Sequence, residues 1–408
     1  MNKKTYVSLT IGLLLILNIQ AQQVSDNTLS TGQDLDLSKE YNVITTAVPF
    51  MTIAPDSRSG GMGEAGVATQ VDVWSQHWNA SKYVLADNDL GVGISYTPWL
   101  ENLGIKDINL IYVAGYKKLD RQQAIGASLR YFSMGEIPAY DESGNSLQYS
   151  LTPKEYAFDV SYSRFLGDNF TMAMTGRFIN SNLGVGLDNY KPGRSVAADI
   201  SATYFNDITI SGQAVEMQIG GAITNIGSKI NYSANQKDFI PTNLRLGIGL
   251  QTDIDQFNAI GVYLDFNKLL VPTPPKRVYA GDDAENNPIY EMEGKDPNVS
   301  VPAGIFQSFI DAPGGFREEI NEIIANIGAE YWYNKQFAVR AGYFHEAETK
   351  GNRKYFTVGA GLRLNVFGLD FAYLIPTQGT NSPLANTFRF SLTFDFEGLA
   401  QEQKALTD

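Results

Sequence analysis

Phe388-Arg-Phe-Ser-Leu-Thr-Phe-Asp-Phe396 alternates apolar and polar residues at every step. Successive side chains of a strand point to opposite faces. Phe388, Phe390, Leu392, Phe394 and Phe396 therefore share one face, and Arg389, Ser391, Thr393 and Asp395 the other. In an ordinary sandwich the apolar face would meet a core. Here the polar faces of segment after segment carry whole charges, which fits a barrel with a wet interior and a lipid exterior.

The same rhythm recurs upstream, in segments 90–97, 108–117, 123–133, 155–165, 170–180, 195–205, 215–226, 243–252, 258–269, 323–332, 337–346, 355–366 and 369–374. With residues 387–396 these make fourteen strands, an even number as single-chain bacterial barrels require. Linkers alternate between tight (119–121, 166–169, 334–335, 367–368) and long (134–154, 181–194, 227–242, 270–322, 375–386). Residues 206–214 stand out as a longer turn among the tight ones. Short turns are periplasmic and long loops extracellular in this class, so both chain ends are expected on the periplasmic side. The expected fold is all-β: a fourteen-stranded antiparallel transmembrane barrel of the outer membrane with an N-terminal plug.

Lys3 and Lys4 precede an apolar run from Val7 to Leu17, and Ala21 offers a cleavage site. Residues 1–21 thus read as a signal peptide rather than an anchor. The chain has no Cys, which excludes a lipoprotein anchor and a disulfide framework. No later run is long enough for a spanning helix. With 31 basic and 44 acidic residues the net charge is −13, which argues against a nucleic-acid partner. The 22 Tyr, 22 Phe and 38 Gly suit barrel strands and their aromatic girdles.

Residues 22–41 are polar and expected to be flexible. Residues 42–88 are too apolar for a linker and too irregular for a membrane strand; they read as a plug, with Arg58 and the run Gly60-Gly61-Met62-Gly63 as structural residues. That glycine run lacks the Lys-Ser/Thr of a phosphate loop and marks a tight bend. The barrel spans 89–396, followed by a periplasmic tail, 397–408. Inward positions carry Arg130, Asp159, Arg177, Asp199, Glu216, Arg245, Asp265, Glu330, Arg340, Arg363, Arg389 and Asp395. Opposite signs should pair with one another or with the plug, as a structural network more than a solute path.

The histidines, His77 and His345, stand far from any nucleophile pattern, and no zinc spacing exists. No catalytic residue, cofactor or metal is expected. The loop 270–322 combines Pro272, Pro274 and Pro275, an acidic stretch, and Ile305, Phe306, Phe309, Ile310 and Phe316. A loop this long is usually functional. It reads either as a partner-docking surface or as a lid folded onto its own barrel mouth.

The run from Asn42 to Thr69, NVITTAVPFMTIAPDSRSGGMGEAGVAT, closely resembles the plug of the PorV (LptO) family of type IX secretion. Ser75-Gln-His-Trp-Asn79, Ser95-Tyr-Thr-Pro-Trp-Leu100 and residues 123–133 resemble further family segments. Members of that family tend to follow Trp-Asn with Pro-Ala, whereas Asn79-Ala80-Ser81 stands here. The resemblance implies a FadL-like barrel and a non-enzymatic role. Such proteins receive cargo bearing the C-terminal signal domain from the translocon barrel. They pass it to a PorU-type sortase complex for attachment to surface lipopolysaccharide. The alternative is a FadL-like channel for hydrophobic small molecules.

Overall fold

The computed structural model describes residues 41–396 except 105–106, 141–145, 185–190, 233–236, 283–287, 378–381, 383 and 386. The expected signal peptide, most of the polar stretch behind it and the C-terminal tail lie outside the described residues.

The strands are β1 (Leu90–Pro98), β2 (Ile108–Lys118), β3 (Gln123–Met134), β4 (Ile137–Tyr140), β5 (Ser146–Leu151) and β6 (Lys154–Gly167). They continue with β7 (Phe170–Asn182), β8 (Gly193–Ile210), β9 (Gln213–Gly227), β10 (Asn243–Asp253), β11 (Asn258–Leu269) and β12 (Lys276–Asp282). The remainder are β13 (Pro288–Glu293), β14 (Ile324–Tyr333), β15 (Phe337–His345), β16 (Lys354–Leu364), β17 (Phe367–Pro376) and β18 (Phe388–Phe396). Two pairs, β4–β5 and β12–β13, are separate ribbons; the other fourteen form one closed antiparallel barrel. It closes where β1 meets β18, Leu90 opposite Phe396 and Tyr96 opposite Phe390.

Alternation sorts the side chains as expected. On β1, Leu90, Val92, Ile94 and Tyr96 are exposed to the surroundings while the intervening residues are buried. One rim carries the tight turns and the other the long connections. The expected long turn at 206–214 is corrected: β8 and β9 run on to Ile210 and Gln213, which pair directly. Ser211 and Gly212 between them have φ of 52° and 84°, the two positive values of a type I′ hairpin turn. Polar residues Asn206, Asp207 and Thr209 concealed this strand extension from a hydropathy reading.

The expectation that both chain ends lie on the periplasmic side falls on residues outside the described set, but the first described residues are placed. Asn42 donates its N–H to Thr349 O at 3.0 Å and its side-chain amide to Pro274 O at 3.0 Å. Thr349 and Pro274 belong to long-loop connections. At the other end of the segment, Lys118 reaches Ala86 O at 2.5 Å beside the tight turns. Residues 42–88 thus run from the long-loop rim to the tight-turn rim, whereas β18 ends at the tight-turn rim.

The interior is filled by this segment. Short helices α1 (Ser57–Gly60) and α2 (Ser75–Trp78) alternate with 3-10 turns. Val48, Phe50 and Met51 pack with Leu110, Phe132 and Ile179 of the wall. Trp74, Trp78 and Tyr83 pack with Tyr112, Tyr116 and Ala173. The apolar core of this molecule therefore lies between segment and wall.

Close approach depends on glycine. Gly63 has φ +66°, and a Cβ there would lie 2.6 Å from Tyr343 N. A Cβ on the facing Gly342 of β15 would lie 2.1 Å from Gly63 N, so backbone touches backbone. Asn79 caps the turn that follows α2. Its Oδ1 accepts from Ser81 N at 3.1 Å, and its Nδ2 donates to Thr203 Oγ1 at 2.9 Å.

Candidate functional site at the long-loop rim

Charged side chains inside the barrel are arranged in chains of opposite sign. Arg58 of α1 bonds Asp72 at 2.9 Å and Glu330 at 2.8 Å. Arg340 bonds Glu330 at 2.6 Å and Asp370 at 2.8 Å, and Arg363 bonds Asp370 at 2.7 Å. Arg177 joins Asp159 at 2.6 Å to Asp199 at 2.9 Å, and also donates to Asn225. Arg389 meets Glu64 at 2.8 Å. Glu216 accepts from Gln70 at 2.8 Å, and Asp265 from Gly66 N and Val67 N at 2.7 and 2.9 Å.

Two buried arginines differ: neither Arg130 nor Arg245 has an ion-pair partner among the described residues. Both meet His77. Arg130 Nη2 lies 2.6 Å from His77 Nδ1, and Arg245 Nη1 and Nη2 lie 3.3 Å from Nε2. Arg130 also donates to Phe50 O and Met51 O at 3.0 and 2.9 Å. The imidazole is thus a bracket between two guanidiniums. His345, the other histidine, lies 3.5 Å from Tyr343 Oη at a strand end.

Above this layer a cavity of about 370 Å³ opens between the N-terminal segment and the wall. Val43, Ile44, Leu269, Ile324 and Phe344 line its sides, and Arg245 and Trp78 its floor.

The loop 270–322 sends its charged and its apolar side chains in different directions. Helices α3 (Val301–Gln307) and α4 (Phe316–Asn321) shape it. The carboxylates of α4 turn back onto the rim. Glu319 and Glu322 meet Lys268 of β11 at 3.0 and 2.5 Å. Glu318 and Glu322 meet Lys350 at 2.7 and 2.8 Å. Lys276 and Asn42 also reach Glu318, at 3.1 Å each. Burial pushes the Glu318 carboxyl up, but hydrogen bonds from Lys350, Gly314 N and Lys276 prevail and hold it at about 2.

The apolar side chains go the other way. Phe306 is 77% exposed, Ile310 70% and Phe316 81%; Phe309 is exposed and Ile305 half-buried. Ile320 of α4 joins this ledge. The expected acidic stretch falls partly on residues 283–287, outside the described set. Arg58, Gly60, Gly61, Gly63, Arg245 and Arg389 lie where segment meets wall, whereas Arg177, Arg340 and Arg363 pair with carboxylates of the wall itself. Asp56, Glu64 and Asp72 of the segment and Asp370 of the wall belong to the same interior network; sequence reading passed over them. Asp370 was the most readable, being in phase with Arg363 and Arg389 on the polar faces of adjoining strands.

The family model of type IX secretion system protein PorV matches residues 36–276. This chain belongs to the PorV family. It is an outer-membrane β-barrel and a component of the type IX secretion system. Solved structures similar to this one include the toluene transporter TodX of Pseudomonas putida, at 10% identity and TM-score 0.47, covering 87% of this chain and 98% of that one. TbuX, the toluene transporter of Ralstonia pickettii, aligns at 12% identity and TM-score 0.45, covering 84% and 98%. A FadL homologue of Pseudomonas aeruginosa aligns at 10% identity and TM-score 0.42, covering 88% and 100%. No curated relative matches the sequence.

Proposed function

We propose that this PorV-family barrel receives secreted proteins bearing the type IX C-terminal signal domain from the translocon barrel. It would then deliver them to the PorU-type sortase complex, where they are attached to lipopolysaccharide. In this reading the long-loop rim faces outward, residues 42–88 act as a plug, and no catalysis takes place. The observation that carries it is the set of apolar side chains Phe306, Phe309, Ile310, Phe316 and Ile320, with the half-buried Ile305, exposed along a loop whose α4 end is held to the rim by Lys268 and Lys350. A contiguous exposed apolar patch marks an interaction surface, and a rigid base lowers the entropy cost of binding.

The test is Phe306→Asp combined with Phe309→Asp. Anchors of this kind each contribute about 2 kcal/mol or more to an interface, so cargo attachment should fall at least tenfold while barrel assembly is unchanged. His345→Ala should leave secretion normal. Normal secretion by the double variant would overturn the docking reading.

A second reading, a channel for hydrophobic small molecules, is favoured by the apolar walls of the 370 Å³ cavity. It requires a bound apolar molecule in protein purified in mild detergent, detected by mass spectrometry, and a path past the segment that fills the lumen.

A further inference from the structure

The β12–β13 ribbon rises from the long loop and pairs with no other strand among the described residues. Its register sets Arg277 opposite Met292, Val278 opposite Glu291 and Tyr279 opposite Tyr290. Period-two alternation then places Arg277, Tyr279, Tyr290 and Met292 on one face, and Lys276, Val278, Glu291 and Glu293 on the other. The first face is apolar and uncovered, with Tyr279 56%, Tyr290 48% and Met292 60% exposed. Its rings are already ordered: Tyr279 and Tyr290 lie 6.2 Å apart, and Arg277 sits 4.7 Å over Tyr290. On the second face Lys276, which also reaches Glu318 at 3.1 Å, stands opposite Glu293, and Glu291 stands opposite Val278, so that face carries more acidic than basic charge.

A two-stranded ribbon is marginal by itself, and each outer edge presents a row of backbone donors and acceptors that another strand can satisfy. We infer that this ribbon is a strand-addition site. Its occupant is an extended segment of a partner protein that alternates apolar and basic residues. The apolar residues would lie on Tyr279, Tyr290 and Met292, and the basic ones opposite Glu291 and Glu293. Main-chain bonds supply affinity in this mode and alternate side chains supply specificity. The inference rests on the long-loop rim being the docking side, but not on the identity of the cargo.

The probe is a synthetic peptide, Lys-Val-Lys-Tyr-Lys-Val-Lys-Phe, added to the full-length barrel in detergent. Its control is the same peptide N-methylated at alternate residues, equal in charge but unable to pair as a strand. Binding of the unmodified peptide should be at least tenfold tighter. Amide exchange in residues 276–282 or 288–293 should slow at least tenfold at alternate positions. Tyr279→Thr with Tyr290→Thr should weaken it about tenfold with no change in barrel melting. Equal binding of the methylated peptide, or unchanged exchange in both strands, would overturn strand addition. The ledge of Phe306 and Phe309 would stand unaffected, because its own test is secretion.

Discussion

Arg58 donates through Nε and Nη2 to both carboxylate oxygens of Glu330, at 3.0 and 2.8 Å, across 272 residues of sequence. This pair joins the N-terminal segment to the wall and is the second link of an alternating row: Asp72, Arg58, Glu330, Arg340, Asp370, Arg363.

Position in the row sets the cost of breaking it. Glu330 is 1% exposed, whereas Asp72 at the end is 14% exposed. Glu330→Gln leaves Arg58 and Arg340 facing each other in a buried site and should cost about 3–5 kcal/mol. Arg58→Gln leaves Glu330 on Arg340 and strands only the wetter Asp72, at about 1–3 kcal/mol. Thermal melting in detergent measures both. Equal destabilisation, or a milder effect of Glu330→Gln, would show that the row is not what fastens the segment.

Backbone contact at Gly342 gives a separate handle on the plug. A side chain there meets Gly63 N and Met62 C at 2.1 Å, so Gly342→Val should keep residues 59–66 from seating. Single-channel conductance in planar bilayers should rise. Gly176→Val, at a position with nothing within 4 Å, is the control and should stay silent. An unaltered, closed Gly342→Val barrel would contradict the plug assignment.

The loop anchor should be insensitive to pH until strong acid. The Glu318 carboxyl is held at about 2 against an ordinary 4.5. A depressed carboxylate stabilises fully above its unfolded value and loses that contribution as pH falls through the folded one. Wild-type protein should therefore resist pepsin cleavage between α4 and the rim at pH 4 and yield as pH approaches 2. Glu318→Gln should yield already at pH 4. Identical profiles for the two proteins would remove Glu318 from the anchor.

Barrel strands were legible because alternation is local and each wall strand repeats it; β18 and β1 obey it residue by residue. The β8–β9 turn was not, because Asn206, Asp207 and Thr209 continue the strand beyond its apolar stretch, where hydropathy carries no signal. Inward charges were legible as a set but not as pairs. Arg340 takes Glu330 and Asp370, and that choice depends on neighbouring strands and on Arg58 arriving from 272 residues away. The direction of residues 42–88 was invisible for a different reason. Parity fixes where β1 begins but says nothing about where Asn42 lies, and Asn42 is placed by contacts with Thr349, Pro274 and Glu318.

That path through the barrel predicts a labelling pattern. The chain has no cysteine, so single cysteines report cleanly to a membrane-impermeant maleimide. Lys295, on the long loop, and Tyr41, 44% exposed at the same rim, should both label on intact cells as Lys295→Cys and Tyr41→Cys. Arg121, in the tight turn between β2 and β3, should label as Arg121→Cys only after the outer membrane is permeabilised. Surface labelling at 121 would reverse the orientation of the whole barrel. Labelling at 295 without labelling at 41 would leave the orientation intact and show instead that residues 42–48 do not rise to the outer rim. The two outcomes separate the topology of the wall from the course of the segment inside it.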